Sequence, residues 1–293
     1  MLPSAVVPKW TAPFRCGAKR LALIALTLVT ACSSTTFVYN RLDTLAGWYV
    51  DDYVTLDLAQ RDDFDQRVDD LLTWHREEEL PRYVSFLQRF DALLNDDLSA
   101  QDLEAIFTEM SLAADRLQLK LEALLIDFGA TLRVKQREEF FEALREEQEE
   151  QKERWLQRSE EEYHAEIAGR LEKNLARVMG RLNTLQRSQI ETAAANFQRL
   201  DGLWLEDRDR WLLEVEALAL GDGEGWVKDV HLLLTTREQG RSEAYVRIFE
   251  HNSRVTRQIV GTVINARTDE QDRKLRRKLA AYRRDFEKLS EGG

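Results

Sequence analysis

Apolar side chains return every three or four positions along most of the chain. Through Tyr163, Ile167, Leu171, Leu175, Val178 and Leu182 the steps are four, four, four, three and four, which lines up one stripe of an α-helix. No stretch alternates apolar and polar residues with the period of two expected of a half-buried strand. Beyond residue 31 the chain has a single proline, Pro81, so little in it opposes helix continuation. The pattern predicts an all-α fold, an elongated bundle of about six or seven amphipathic helices with a short amphipathic one leading around 38–54.

The few breaks set the expected limits. Asn95-Asp96-Asp97-Leu98-Ser99 offers a turn with Ser99 as N-cap. Gly129-Ala130-Thr131 interrupts the next helix, and Gly221-Asp222-Gly223-Glu224-Gly225 is the clearest loop. Thr268 with Gln271 three residues on has the form of a capping box. Helices are expected at about 57–95, 99–128, 133–181, 184–219, 224–266 and 269–289. Residues 138–162 are dense in Glu, Arg, Lys and Gln and read as a solvated helix laced with pairs such as Glu150–Arg154; an acidic partner-binding patch is the alternative.

The first residues follow a different pattern. Lys9, Arg15, Lys19 and Arg20, with no acid among them, precede an apolar run from Leu21 to Val29 that ends in the small residues Thr30 and Ala31. That is the order of parts in an export signal. The run is about half of the roughly 20 residues a membrane-spanning helix needs, so a cleaved signal is expected rather than a permanent span.

Val29-Thr30-Ala31-Cys32 resembles a lipobox, the site where bacterial lipoprotein signal peptidase cuts before a diacylglyceryl-modified cysteine. The resemblance implies that Cys32 is acylated and that Ser33-Ser34-Thr35-Thr36 is a polar tether. Ser33, where an Asp would favour the inner membrane, implies the outer membrane. The alternative is an ordinary cleavage site with a chance cysteine. The organisation expected is a signal peptide over 1–31, a lipid-anchored tether and aromatic-acidic segment over 32–56, and a helical bundle over 57–293.

Charge and thiols narrow the function. The chain carries a net charge of −11, and losing the four basic residues of 1–31 takes it to −15. Such a surface does not bind nucleic acid non-specifically, because phosphate contacts need a basic face. With Cys16 in the signal and Cys32 acylated, no thiol remains for a disulfide, a thiolate metal site or a nucleophile. Residues 241–288 are locally basic, with thirteen basic and seven acidic side chains. They are expected to pack against the acidic helices, with an anionic envelope ligand such as lipopolysaccharide or peptidoglycan carboxylates as the alternative.

No complete catalytic or metal constellation emerges. A di-iron bundle needs two Glu-x-x-His pairs, and Glu161-Glu162-Tyr163-His164 supplies only one. His75 and Glu79 have an i, i+4 spacing that could present two ligands on one helix face, without an identifiable third. There is no glycine-rich phosphate loop and no G-x-S-x-G elbow. No cofactor is implied.

The segment from Phe37 to Tyr53 concentrates aromatic and acidic residues: Tyr39, Arg41, Trp48, Tyr49, Asp51, Asp52 and Tyr53. One reading has Trp48, Tyr49 and Tyr53 packing this segment onto the bundle. The other has it at the membrane interface, where Trp and Tyr are favoured, or docking a partner there.

Together with Tyr39-Asn40-Arg41-Leu42-Asp43, Trp48-Tyr49 and Asp51-Asp52-Tyr53, the run from Trp74 to Pro81 resembles a family of uncharacterised proteobacterial outer-membrane lipoproteins, over most of the mature chain. That family implies an address and no activity. A second resemblance is to the LTxxQ motif that opens helices in periplasmic stress proteins of the Spy and CpxP type. It is carried by Leu132-Arg133-Val134-Lys135-Gln136, Leu182-Asn183-Thr184-Leu185-Gln186 and Thr268-Asp269-Glu270-Gln271, with Leu98-Ser99-Ala100-Gln101-Asp102 a degenerate fourth. It implies a chaperone-like role, and physically it describes a capped helix start.

The function expected is an outer-membrane lipoprotein exposing a helical, non-catalytic binding or scaffold domain toward the periplasm. Its partners are the membrane, through Cys32, and other envelope proteins. The alternatives are the chaperone-like stress protein and a carboxylate-dependent envelope hydrolase.

Overall fold

The computed structural model describes residues 34–221 and 225–292. They are helical almost throughout, and no strand occurs among them. Helix α1 spans Ser34–Tyr39 and α2 Leu42–Asp51; α3, Leu58–Trp74, runs through a π-helical turn, His75–Glu79, into α4, Leu80–Leu93. Next come α5, Ala100–Gly129, α6, Val134–Leu156, α7, Glu160–Met179, and α8, Thr184–Ala194. The chain closes with α9, Asp201–Leu220, α10, Trp226–Thr236, a 3₁₀ turn at Arg237–Gly240, α11, Glu243–Asn265, and α12, Asp269–Glu291.

The all-α class holds, with more helices than the hydrophobic period predicts. Three expected helices are divided. The one placed at 133–181 breaks after Leu156, because Ser159 and Glu162 form a capping box: the Glu162 N–H donates to Ser159 Oγ at 3.1 Å and the Ser159 N–H to the Glu162 carboxylate at 2.8 Å. The one placed at 184–219 breaks over 195–200, a stretch without glycine or proline. Tertiary contacts hold that loop open: Asn252 accepts from the Gln198 N–H at 2.9 Å and donates to its carbonyl at 2.8 Å. Tyr163 Oη also donates to the Gln198 carbonyl, at 3.1 Å. The one placed at 224–266 breaks at the 3₁₀ turn, where Ser242 caps α11 by accepting from the Tyr245 N–H at 3.1 Å.

The expected helix 57–95 does run continuously, with a defect at its proline. Pro81 cannot donate to the carbonyl four residues back, and its ring would crowd that carbonyl. The turn before it widens to π, so that the Leu80 N–H reaches the His75 carbonyl.

The buried apolar side chains form four clusters rather than one, as an elongated bundle requires. The main one joins α5, α7, α8, α11 and α12 through Leu103, Ile106, Met179, Leu182, Ile190, Val263 and Leu275, among others. Gly261 lets α11 approach α5 closely, since a Cβ there would overlap Leu103. Smaller clusters form around Val54, Phe64 and Phe128, around Tyr39, Leu80 and Leu289, and around Phe141 and Leu212.

Two pairs of buried glutamines tie distant helix starts together. Gln60, three residues after the N-cap Asp57, and Gln136, three after Arg133, exchange amide hydrogen bonds at 3.0 and 2.8 Å. Gln186, three after Asn183, and Gln271, three after Thr268, do the same at 3.0 and 2.9 Å. Each Oε1 also accepts from the N-cap N–H of its own helix, at 3.0 to 3.1 Å. The remaining amide protons go to backbone carbonyls: Thr131 and Thr55 in the first pair, Val263, Ala266 and Arg181 in the second. Every donor and acceptor of the four carboxamides is therefore used, which is what makes their burial tolerable.

The locally basic carboxy-terminal region pairs in part with the acidic helices before it. Arg257 on α11 meets Glu104 on α5 at 3.0 Å, and Arg276 on α12 meets Asp91 on α4 at 3.2 Å. The helix expected to be solvated over 138–162 is partly buried instead: Phe141, Gln148 and Gln151 are covered, where α6 packs on α9. At Glu150 the Arg154 guanidinium reaches the backbone carbonyl, at 3.1 Å.

Candidate functional site: the aromatic-acidic segment

The aromatic-acidic segment becomes α1, α2 and the turn after them, and it packs on the bundle through α12 and α3. Cys32 lies outside the described residues. The other singled-out residues divide into two buried polar clusters and an exposed face.

Tyr39 anchors the first cluster. Its ring is buried with Leu80 and Leu289, and its hydroxyl lies 2.8 Å from His75 Nδ1. Burial raises the Tyr39 pKa and lowers that of His75, so a neutral phenol meets a neutral imidazole. Tyr83 and Trp74 also pack edge-on to His75, at 5.5 and 6.2 Å. Glu79, fully buried on the π-helical turn, receives Arg116 in a two-pronged pair, Nε at 2.6 Å and Nη2 at 2.7 Å, and Arg82 at 2.6 Å. Burial pushes Glu79 upward, but the Arg116 and Arg82 guanidinium groups hold it below its ordinary value. The spacing that suggested two ligands on one face thus brings His75 and Glu79 into one neighbourhood with different partners. His75 fastens α1 and Glu79 fastens the π turn to α5.

Tyr53 anchors the second. Its hydroxyl donates to Glu147 at 2.8 Å and lies 2.8 Å from the Tyr49 hydroxyl, joining the end of α2 to α6. Burial is the largest cause raising both phenols, Tyr49 to about 12 and Tyr53 further, with the Glu147 charge adding to it. Arg208 on α9 completes the neighbourhood: it donates to Gln148 at 3.2 Å and lies over the Trp204 ring at 5.2 Å. Burial lowers its pKa. The two phenols and the Glu147 carboxylate thus form a hydrogen-bonded strut between the end of α2 and α6.

The exposed part holds Arg41, over the Phe37 ring at 4.5 Å, and Trp48. Asp51 pairs with Arg61, which also donates to the Gly47 carbonyl at 3.1 Å, while Asp52 is exposed. The packing reading therefore applies to Tyr39, Tyr49 and Tyr53, and fails for Trp48. The isolated Glu-x-x-His pair is also structural, since His164 Nε2 lies 3.0 Å from the Phe197 carbonyl. Among the described residues no group of three or more His, Cys, Asp or Glu could hold a metal ion, and no helix is long and apolar enough to cross a membrane.

Sequence reasoning missed two features. The Glu79–Arg116 pair links α4's approach to a residue 37 positions away, and no local pattern announces it. Leu56-Asp57-Leu58-Ala59-Gln60, by contrast, has the same spacing of leucine, cap and glutamine as the motifs at Leu132 and Leu182. That spacing could have found it.

Residues 52–246 match the family of unknown function DUF6279. The chain belongs to that family. No curated protein and no solved structure matches it. The DUF6279 stretch starts within the aromatic-acidic segment, at Asp52, and takes in the Tyr53–Glu147 strut, the Glu79–Arg116 pair and the first glutamine pair. It includes Gln186 of the second pair but ends before Gln271.

Proposed function

We propose that this DUF6279 protein is a lipoprotein, held in the outer membrane by acylated Cys32, whose periplasm-facing helical body is a non-catalytic scaffold for other envelope proteins. The observation that carries the reading is the lipobox Val29-Thr30-Ala31-Cys32 with helix α1 beginning only two residues later, at Ser34. Acyl chains supply the membrane attachment at about 0.8 kcal/mol per buried methylene, and two or more chains anchor stably. A structural use for its reactive-looking side chains supports the same reading. His75 and Glu79 are engaged in fastening one helix to another, and His164 fastens its helix to the loop over 195–200. Replacing Cys32→Ser is expected to give an unprocessed or soluble product in cell fractionation; membrane retention of a normally sized mature form would refute acylation. Crosslinking in intact cells is expected to trap specific envelope proteins, and recovery of none above the Cys32→Ser control argues against a scaffold.

The LTxxQ-like starts favour a second reading, a chaperone-like protein, which predicts suppression of client aggregation at stoichiometric amounts. Their glutamines are buried in the two helix-start pairs. The motif therefore supports the architecture more directly than it supports client binding.

A further inference from the structure

Helices α1 and α2 leave two large rings outside the core: Phe37 is 45% exposed and Trp48 59%. Arg41 covers one face of Phe37, and the seven-residue step from Arg41 to Trp48 places them on the same side of α2. A cleft between this region and the end of α12 is lined by Phe37, Arg41, Asp285 and Lys288. On α12 itself Arg273, Arg277, Arg284 and Lys288 are all exposed. Their steps of four, seven and four confine them to a stripe about 60° wide that ends in the cleft. The opposing charges there are Asp285 in the cleft, Glu291 at the end of the α12 stripe and Asp52 on the Trp48 side of α2, all three outnumbered by the stripe and Arg41 together; Asp43 lies on the other side of α2 from Arg41, and Asp51 is already paired with Arg61. In a chain of net charge −11, this corner joins cations to exposed aromatic rings.

We propose that this face docks on an anionic lipid surface, with Phe37 and Trp48 seated at the interface and Arg41, Arg284 and Lys288 paired with headgroup phosphates. Aromatic rings favour that depth and basic side chains are drawn to anionic leaflets. In its orientation the inference rests on the lipoprotein reading. Only Ser33 separates Cys32 from α1, and a residue spans at most about 3.6 Å, so an acylated Cys32 holds this corner against the headgroups.

The test uses the purified wild-type protein with vesicles of phosphatidylglycerol and phosphatidylethanolamine, or of phosphatidylcholine alone, each carrying brominated acyl chains. Tryptophan quenching is read as the difference between wild type and Trp48→Phe, which isolates Trp48. In anionic vesicles Trp48 is expected to supply most of the quenching. Arg41→Glu with Lys288→Glu should cut its share at least twofold, and raised salt should act in the same direction on the unmutated face. Quenching that Trp48→Phe leaves unchanged, or that is equal in both lipids and insensitive to salt, overturns the proposal. The mass of the peptide bearing Cys32 separates the two readings. Acylated Cys32 with Trp48 unquenched rejects the docking face alone, and unmodified Cys32 with Trp48 quenched rejects the anchor alone.

Discussion

The two glutamine pairs solve one problem in two surroundings. Each closes two helix starts with two reciprocal carboxamide bonds, and each has a neighbouring arginine that repeats the match: Arg137 donates to the Leu132 carbonyl at 2.8 Å, Arg187 to the Leu182 carbonyl at 2.9 Å. The Gln186–Gln271 pair sits against the main apolar cluster, between Leu182, Val263 and Leu275, with Gln186 fully buried. The Gln60–Gln136 pair borders the smaller Val54–Phe64 cluster, and its carbonyl partners Thr55 and Thr131 belong to exposed residues. The caps differ too. Asn183 and Thr268 are neutral, whereas Asp57 is ionisable and pairs with Arg133 at 2.9 Å. The same hydrogen bonds should therefore differ in worth, because Gln186 and its partner Val263 are fully covered whereas both carbonyl partners of the first pair belong to exposed residues.

The largest effect should come from Gln186→Leu. It strands the second amide proton of Gln271 and the Val263 carbonyl in an apolar surrounding and releases the Asn183 N–H and the Ala266 carbonyl. At about 1 to 3 kcal/mol for a buried group left without a partner, a loss of about 3 kcal/mol is expected. Gln60→Leu, where solvent can reach the abandoned carbonyls, should cost about 1 to 2 kcal/mol. Denaturant unfolding followed by circular dichroism measures both, and equal losses would break the comparison.

A smaller effect should come from treating the pair as a unit. Gln186→Leu with Gln271→Leu removes both amides together, so the double variant should lose clearly less than the sum of the single losses. Replacing both partners by apolar groups avoids stranding either. Strict additivity in the same unfolding measurement would mean that the two amides act independently, and the reciprocal bonds would then carry little of the junction's stability.

How much of this is legible in the sequence depends on how local the cause is. The helical class follows from spacing alone, and so do the starts at Ser99 and Thr268, because a cap and its partner lie three residues apart. The break at Ser159 is equally local, with Glu162 in the position a capping box demands, but it lies in a charged run with no glycine or proline to announce it. The break over 195–200 was not legible, since Asn252 imposes it from 54 positions away. Among the singled-out residues, sequence marked the aromatic-acidic segment without sorting it. Nothing in its pattern distinguishes Tyr53, which reaches Glu147, from Trp48, which faces out. Nor could four glutamines at matching positions say which pairs with which, because that choice is made by the packing of the helices they open.

The cap chemistry sets the smallest effect and the sharpest distinction. The Gln60 backbone N–H and, after it, Arg133 hold the Asp57 carboxyl below its ordinary value. A carboxylate depressed in the folded state contributes stability that is present above its unfolded pKa, about 4, and lost as pH falls through the folded value. The first junction should therefore weaken in acid below about pH 4, while the neutral caps Asn183 and Thr268 have nothing to titrate there. Asp57→Asn keeps an acceptor for the Gln60 N–H and removes the charge. At neutral pH it should change stability little, and below about pH 4 the variant should lose less than the wild type does. The reciprocal exchange, Asn183→Asp, should give the second junction the acid sensitivity it lacks. Amide hydrogen exchange at the starts of α3 and α8 reads the two junctions separately as pH is lowered. Protection lost at both junctions alike in the wild type, or retained acid lability at α3 in Asp57→Asn, would place the cause outside the caps.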